Sequence, residues 1–289
     1  MIKKFLFKSE LAPVYWMILA MALFVSMDTC GKFLFKTQSL IQIVWGRYFF
    51  HFTILFVLLS PRLKYLLETQ NLKVQLIRSI LLLASTLCFF GGLQYIQLAQ
   101  ASSIMLVSPL LVTALSVPLL REKVGIKRWA SILIGLIGAL FIIRPSLNFF
   151  NSGASLTFCA AIFFALYQIS TRFLSKLDNV LTTLFYSSSV GAIILSIFVS
   201  FFWEPVNISS WILMIMMGSL GGIGHFALIK AFSGAQASVI TPFTYSNVLW
   251  ATLFGFIFFN KLPDFMTVIG AIIIIASGLY LLKREKVLN

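Results

Sequence analysis

Phe24-Val-Ser-Met-Asp28-Thr-Cys-Gly-Lys32-Phe-Leu34 and Phe164-Ala-Leu-Tyr-Gln168-Ile-Ser-Thr-Arg172-Phe-Leu174 are the stretches on which the reading of this chain turns. Both follow one pattern, Phe-x3-polar-x3-basic-Phe-Leu, at an offset of 140 residues. A second pair, Ala99-Gln100-Ala101-Ser102 and Ala235-Gln236-Ala237-Ser238, recurs in the same order at an offset of 136. Each of these opens a helical run with a proline inside it, Pro109 in the first and Pro242 in the second. Matches that keep their order and spacing mark an internal repeat. Arg121-Glu122-Lys123 has the weaker counterpart Asn260-Lys261.

The surroundings of the repeat say where it folds. Of the 289 residues 60% are hydrophobic and only 10% charged, against about 25% charged in a soluble domain. Mean hydropathy is +1.00. Apolar runs between polar punctuation give ten spans, at 12–35, 39–60, 72–97, 101–120, 127–143, 154–174, 180–202, 209–231, 237–259 and 265–282. At about 20 residues per crossing they leave no room for a soluble domain. The third and fourth spans are separated by only Leu98 to Gln100, with Gln94, Gln97, Gln100, Ser102 and Ser103 marking a turn. The start, with Lys3, Lys4 and Lys8 before an apolar run, lacks a small-x-small cleavage site and reads as an uncleaved first span.

The net charge of +14 reads as topology rather than as a nucleic-acid footprint. With the amino terminus inside, inner segments hold sixteen basic residues: Lys3, Lys4, Lys8, Arg62, Lys64, Lys73, Arg121, Lys123, Lys127, Arg128, Arg172, Lys176, Lys230, Lys283, Arg284 and Lys286. Outer segments hold three, Lys36, Arg144 and Lys261, and Lys32, Arg47 and Arg78 fall within spans. Both termini are therefore expected on the cytoplasmic side. Two repeats of five spans, an odd number, must enter the membrane in opposite directions. The expected fold is an all-α membrane protein of ten helices in two inverted five-helix repeats, 1–143 and 144–289. Such repeats recur in secondary transporters with a site at the midplane.

The chain resembles the drug/metabolite transporter superfamily, in its ten-helix branch of two EamA-type halves. The resemblance covers nearly the whole chain. Gln42-x2-Trp45-x-Arg47-Tyr48, the run from Val107-Ser-Pro109 to Glu122, and Pro242-Phe-x-Tyr245-x3-Leu-Trp250 are similar to bacterial riboflavin uptake proteins. Membership implies a carrier in the bacterial cytoplasmic membrane, with riboflavin or a related planar heterocycle as the first substrate. S-adenosylmethionine, amino acids and drugs, in either direction, are the alternatives the superfamily implies. Many EamA halves place a Glu after the fourth helix; here the second copy has Asn260 instead of Glu122's counterpart.

An ionisable residue inside a span usually faces a partner or an aqueous cavity. Asp28 and Lys32, four apart on one helix face, read as a gate or clamp, or as a snorkelling lysine neutralised by its neighbour. Gln168 is a candidate cavity amide, and Arg172 an anchor on the inner side. Arg47 lies about 12 Å into its helix and suits an anionic or carbonyl-rich substrate, or a structural pair with Asp28. His51, four residues on, and His225, on the Gly-rich eighth span, are candidates for proton coupling or packed core histidines. Pro109 and Pro242 remove backbone donors at related positions, as at a transporter's site, although packed helices are also kinked this way. Trp45 and Tyr48, with Tyr245, Asn247 and Trp250, would wall a site for a planar ring, or belong to an interfacial aromatic belt.

No protease, hydrolase or nucleotide-binding motif is present, and only 8 acids exist, so no enzyme activity is expected. Cys30, Cys88 and Cys159 stand singly, without metal-site or disulfide spacing. No metal, cofactor or nucleic-acid partner is expected, only a small-molecule substrate and the bilayer. A non-transporting membrane scaffold is the alternative from another class, and it leaves the repeat and mid-span Arg47 without a role.

Overall fold

A computed structural model describes residues 11–96, 98–143, 152–259 and 265–287. All its regular elements are helices: α1 Ala12–Leu34, α2 Leu40–Leu59, a 3-10 turn at Ser60–Arg62, α3 Leu63–Leu67, α4 Leu72–Leu93, α5 Leu98–Ile104, α6 Val107–Leu120 and α7 Ile126–Ile143 in the first half. The second half has α8 Ser152–Leu174, α9 Val180–Phe198 with a 3-10 turn Val199–Phe202, and α10 Ile208–Gly234. It continues with α11 Ala237–Ile240, a 3-10 segment Thr241–Tyr245, α12 Ser246–Phe259 and α13 Phe265–Val287. Among the described residues six helices, α1, α2, α4, α8, α9 with its 3-10 turn, and α10, are long and apolar enough to cross a membrane.

Equivalent helices start in the same way. Ser39 caps α2 and Asn179 caps α9, each accepting from the amide three residues on, and Asn71 and Asn207 do the same for α4 and α10. Asn260 and Lys261, the expected counterparts of Glu122 and Lys123, lie outside the described residues.

The spans depart most from the expectation at the third, fourth and ninth. The third helix stops at Leu93 rather than 97, and α5 already begins at Leu98. The turn lies earlier because the Lys32 ammonium collects the carbonyls of Leu93 (2.7 Å) and Ile96 (3.1 Å). The fourth span is two helices parted at Met105–Leu106. Pro109 has no amide proton to return to the carbonyl of Met105, and Ser108 N–H takes that carbonyl at 2.9 Å instead. The ninth span is interrupted in the related place by Thr241–Tyr245, which contains Pro242.

The principal helix contacts exchange when the halves are exchanged. α1 packs on α10 as α4 packs on α8, and α7 lies on its own equivalent α13, as α2 does on α9. The self-equivalent pairs run antiparallel. Along α7 and α13, Ser131 bonds Ser277 while Gly138 faces Gly270 and Ile273. Along α2 and α9, Trp45 bonds Ser196 while the Phe52 ring meets Phe185 at a tilt. The main core runs through α1, α2, α4, α8, α9 and α10, and a smaller cluster joins Leu106, Ile132, Tyr245, Val248 and Ile274. Large apolar side chains such as Ile126, Ile197 and Ile272 point outward, as a bilayer-facing surface requires.

Candidate functional site

A cavity of about 100 Å³ lies between the halves. Equivalent positions of the repeat face it together: Phe24 and Asp28 from α1, Phe164 and Gln168 from α8. Arg47 reaches it from α2, Ser85, Thr86, Phe89 and Phe90 from α4, and His225 from α10. The broken fourth helix contributes Ser102, Met105, Ser108 and Pro109, and the ninth contributes Thr244 and Asn247. Its walls are thus rings and methionines set with a few polar groups, the make-up of a small-molecule site.

A hydrogen-bonded chain anchors one side of the cavity. Arg47 donates through Nη1 to Thr86 Oγ1 and through Nη2 to Nε2 of His225, 2.8 Å away. Arginine can only donate, so His225 accepts at Nε2, is neutral there, and carries its proton on Nδ1. That nitrogen stands 2.9 Å from the Tyr167 hydroxyl, which also accepts from Arg78 Nη2 at 2.9 Å. Arg78 is fully buried and donates further to Thr171 Oγ1 (2.8 Å), the Thr183 carbonyl (3.1 Å) and Ser187 Oγ. Two guanidinium groups inside the protein are thus held by neutral acceptors on α4, α8, α9 and α10.

Asp28 is buried and faces the cavity, and among the described residues its carboxylate has neither a hydrogen bond nor an ion pair. It pairs with neither Lys32, whose ammonium caps the end of α4, nor Arg47. Gln168 donates to Ser108 Oγ at 3.1 Å, and its Oε1 is buried without a partner. Arg172 mirrors Lys32 in the second half, donating to the Phe232 carbonyl at the end of α10 at 2.6 Å.

The expected aromatic wall is elsewhere. Trp45 stacks on Phe49 and meets Trp203 and Trp211 edge-on, in a cluster at the end of α2 away from the cavity. Tyr48 is wedged against Gly191 with its ring beneath the Arg47 guanidinium, 5.1 Å from its centroid. Thr86 Oγ1 already donates to Leu82, so Tyr48 donates to Thr86. Tyr245 packs on Gly135 of α7, and Trp250 is half-buried against the main core. Of the expected site residues the cavity gathers Asp28, Arg47, Gln168, His225, Asn247 and Pro109. His51 lies behind, its ring parallel to that of His225 at 6.2 Å, and Pro242 is buried in the 3-10 segment.

Phe24, Phe164, Phe89 and Phe90 supply the rings that the sequence reading sought in Trp and Tyr. Tyr167 and Arg78 were missed as well, although Arg78 was seen to lie in a span. A signal existed for Arg78: Thr183 and Ser187, four apart on the facing helix, make a polar stripe in an apolar run. Among the described residues, no three His, Cys, Asp or Glu side chains are grouped to hold a metal ion.

The model of the EamA-like transporter family matches residues 11–144 and again 151–283. The chain belongs to the EamA-like transporter family. It carries two EamA repeats, and the cavity lies between them. An S-adenosylmethionine uptake transporter of Rickettsia prowazekii is 27% identical over 279 residues, 96% of this chain and 95% of the relative. A riboflavin transporter of Vibrio cholerae is 30% identical over 241 residues, 81% of each chain. A pseudopaline exporter of Pseudomonas aeruginosa is 26% identical over 81% of this chain and 83% of its own. One solved crystal structure superposes with a TM-score of 0.76 at 15% identity, covering 93% of this chain and 96% of the other, and so shares the EamA fold.

Proposed function

We propose that this EamA protein is a secondary-active or facilitative carrier of a small organic metabolite across the bacterial cytoplasmic membrane. The observation that carries the reading is the cavity between the repeats, walled by Phe24 and Asp28 of one and the equivalent Phe164 and Gln168 of the other. In this reading α5–α6, α7, α11–α12 and α13 complete ten spans with the six long helices. The halves, 1–143 and 144–289, are inverted: equivalent helices that meet run antiparallel, so the exchange axis lies in the membrane plane. Both termini are cytoplasmic, from the sixteen-to-three bias of basic residues.

A planar heterocycle suits the ring-lined walls, and riboflavin is the first candidate, supported by the sequence resemblance and by the Vibrio cholerae relative. S-adenosylmethionine is the second, supported by relatives that align over 96% of the chain. At about 100 Å³ the cavity is smaller than the ~300–1,000 Å³ of ligand pockets, so either solute enters only when the repeats part. The test is uptake of radiolabelled riboflavin, S-adenosylmethionine and amino acids in a host lacking its own carriers. Accumulation of one solute above the empty-vector level supports the reading, and accumulation of none, with the protein in the membrane, defeats it.

A further inference from the structure

An acidic and a basic side chain face the cavity without meeting. Asp28 and Arg47 both line it, both are buried, and no ion pair joins them. An ionised carboxylate in a low-dielectric interior is costly unless it is paired, and it attracts any cation that can reach it. Collapse of Arg47 onto Asp28 would satisfy both. Arg47 is instead drawn aside: Nη1 is bound to Thr86 and Nη2 to His225. Those acceptors are neutral, so the guanidinium charge is hydrogen-bonded but not neutralised. Nε and the remaining Nη protons are left to donate, since a guanidinium has five. Gln168, which lines the same cavity, keeps its Oε1 buried and without a partner.

The geometry points to a zwitterionic substrate, its cationic group at Asp28, its carboxylate at Arg47, and its planar ring among Phe24, Phe164, Phe89 and Phe90. The inference rests on the carrier reading and gives that same site a substrate class. An amino-acid group attached to a heterocycle meets all three demands at once. A neutral ring system meets only the last, and leaves Asp28 without a partner. The distinction therefore separates the two candidate solutes by charge rather than by size.

The probes are S-adenosylhomocysteine, which joins an adenine ring to a zwitterionic amino-acid group, and 5′-methylthioadenosine, which keeps the ring and thioether without the zwitterion. Binding of each to the purified full-length protein is measured by calorimetry, beside riboflavin. Charge-assisted hydrogen bonds contribute ~1.5–3 kcal/mol, so the zwitterion should bind roughly tenfold to a hundredfold more tightly than the truncated compound. Asp28→Asn and Arg47→Gln should each shrink that ratio, weakening S-adenosylhomocysteine binding more than 5′-methylthioadenosine binding. Where a variant does not fold, the ratio in the parent decides by itself. Equal binding of the two probes, or binding of riboflavin alone, overturns the zwitterion and leaves the carrier reading standing. If no compound binds and no solute is taken up, the carrier reading falls, and the zwitterion with it.

Discussion

Phe24 and Phe164 hold the same place in the two repeats and meet across the cavity, ring centroids 6.5 Å apart and nearly perpendicular at 79°. Each half therefore supplies one ring to the cavity. A planar solute stacked on such a ring gains about 0.5–1.5 kcal/mol beyond the area it buries. Phe24→Leu and Phe164→Leu should each weaken apparent affinity several-fold at equal membrane abundance. Trp250→Ala, away from the cavity, should affect it less; concentration-dependent uptake rates check the order.

The two buried arginines should separate by phenotype. Arg78 is held on every side by Thr171, Thr183, Ser187 and Tyr167, so Arg78→Lys, which loses the planar fork, should cost about 2 kcal/mol of stability. Arg47→Lys should reduce transport or binding more than it lowers the unfolding temperature, because only Arg47 faces the cavity. Thermal unfolding and uptake, measured on both variants, test the split.

Glu122 ties the end of α6 to the start of the ninth span. Its carboxylate accepts from the amides of Ala237 (2.9 Å) and Ser238 (3.0 Å) and from Ser238 Oγ (2.9 Å), with Arg172 Nε at 3.6 Å. Glu122→Gln keeps the shape and loses the charge. It should destabilise the protein by about 1–2 kcal/mol, since hydrogen bonds to a charged acceptor are stronger than to an amide. An unchanged unfolding temperature would show the tie to be slack.

Close approach between helices rests on particular glycines. A Cβ on Gly92 of α4 would lie 2.7 Å from the Gly153 carbonyl of α8, and one on Gly218 of α10 would lie 2.7 Å from the His51 amide of α2. Neither neighbour is a movable side-chain tip. Gly92→Ala and Gly218→Ala should each lower stability by about 1–3 kcal/mol, whereas Gly255→Ala, with open space around it, should not. Unfolding temperatures in one detergent give the comparison.

Much of the fold was legible because its causes are local. Apolar run length located the helices, the Ser39 and Asn179 caps start equivalent ones, and Pro109 and Pro242 accompany breaks in the fourth and ninth. The repeat also singled out Asp28 and Gln168, which meet at one cavity only because α1 and α8 are brought together by the rest of the chain. What a side chain faces was not legible. Lys32 looked like a partner for Asp28 four residues away, yet it caps α4 from a distance of 61 residues in sequence. Trp45 and Tyr245 looked like walls of a site because of their type, and tertiary packing turned them to Trp203 and Gly135. Arg78 sits close enough to the basic end of its span to pass for an anchor, and only its partners on α8 and α9 set it apart.

The most direct test of the account is uptake into liposomes carrying only the purified protein, with labelled riboflavin and S-adenosylmethionine offered separately and the Phe24→Leu and Asp28→Asn variants run alongside. The account predicts time-dependent accumulation of one solute, saturable and abolished by excess unlabelled compound, and at least several-fold slower in both variants. Accumulation that is the same in the variants as in the parent, or the absence of any accumulation by folded protein, would contradict the claim that the cavity between the repeats is where the solute is carried.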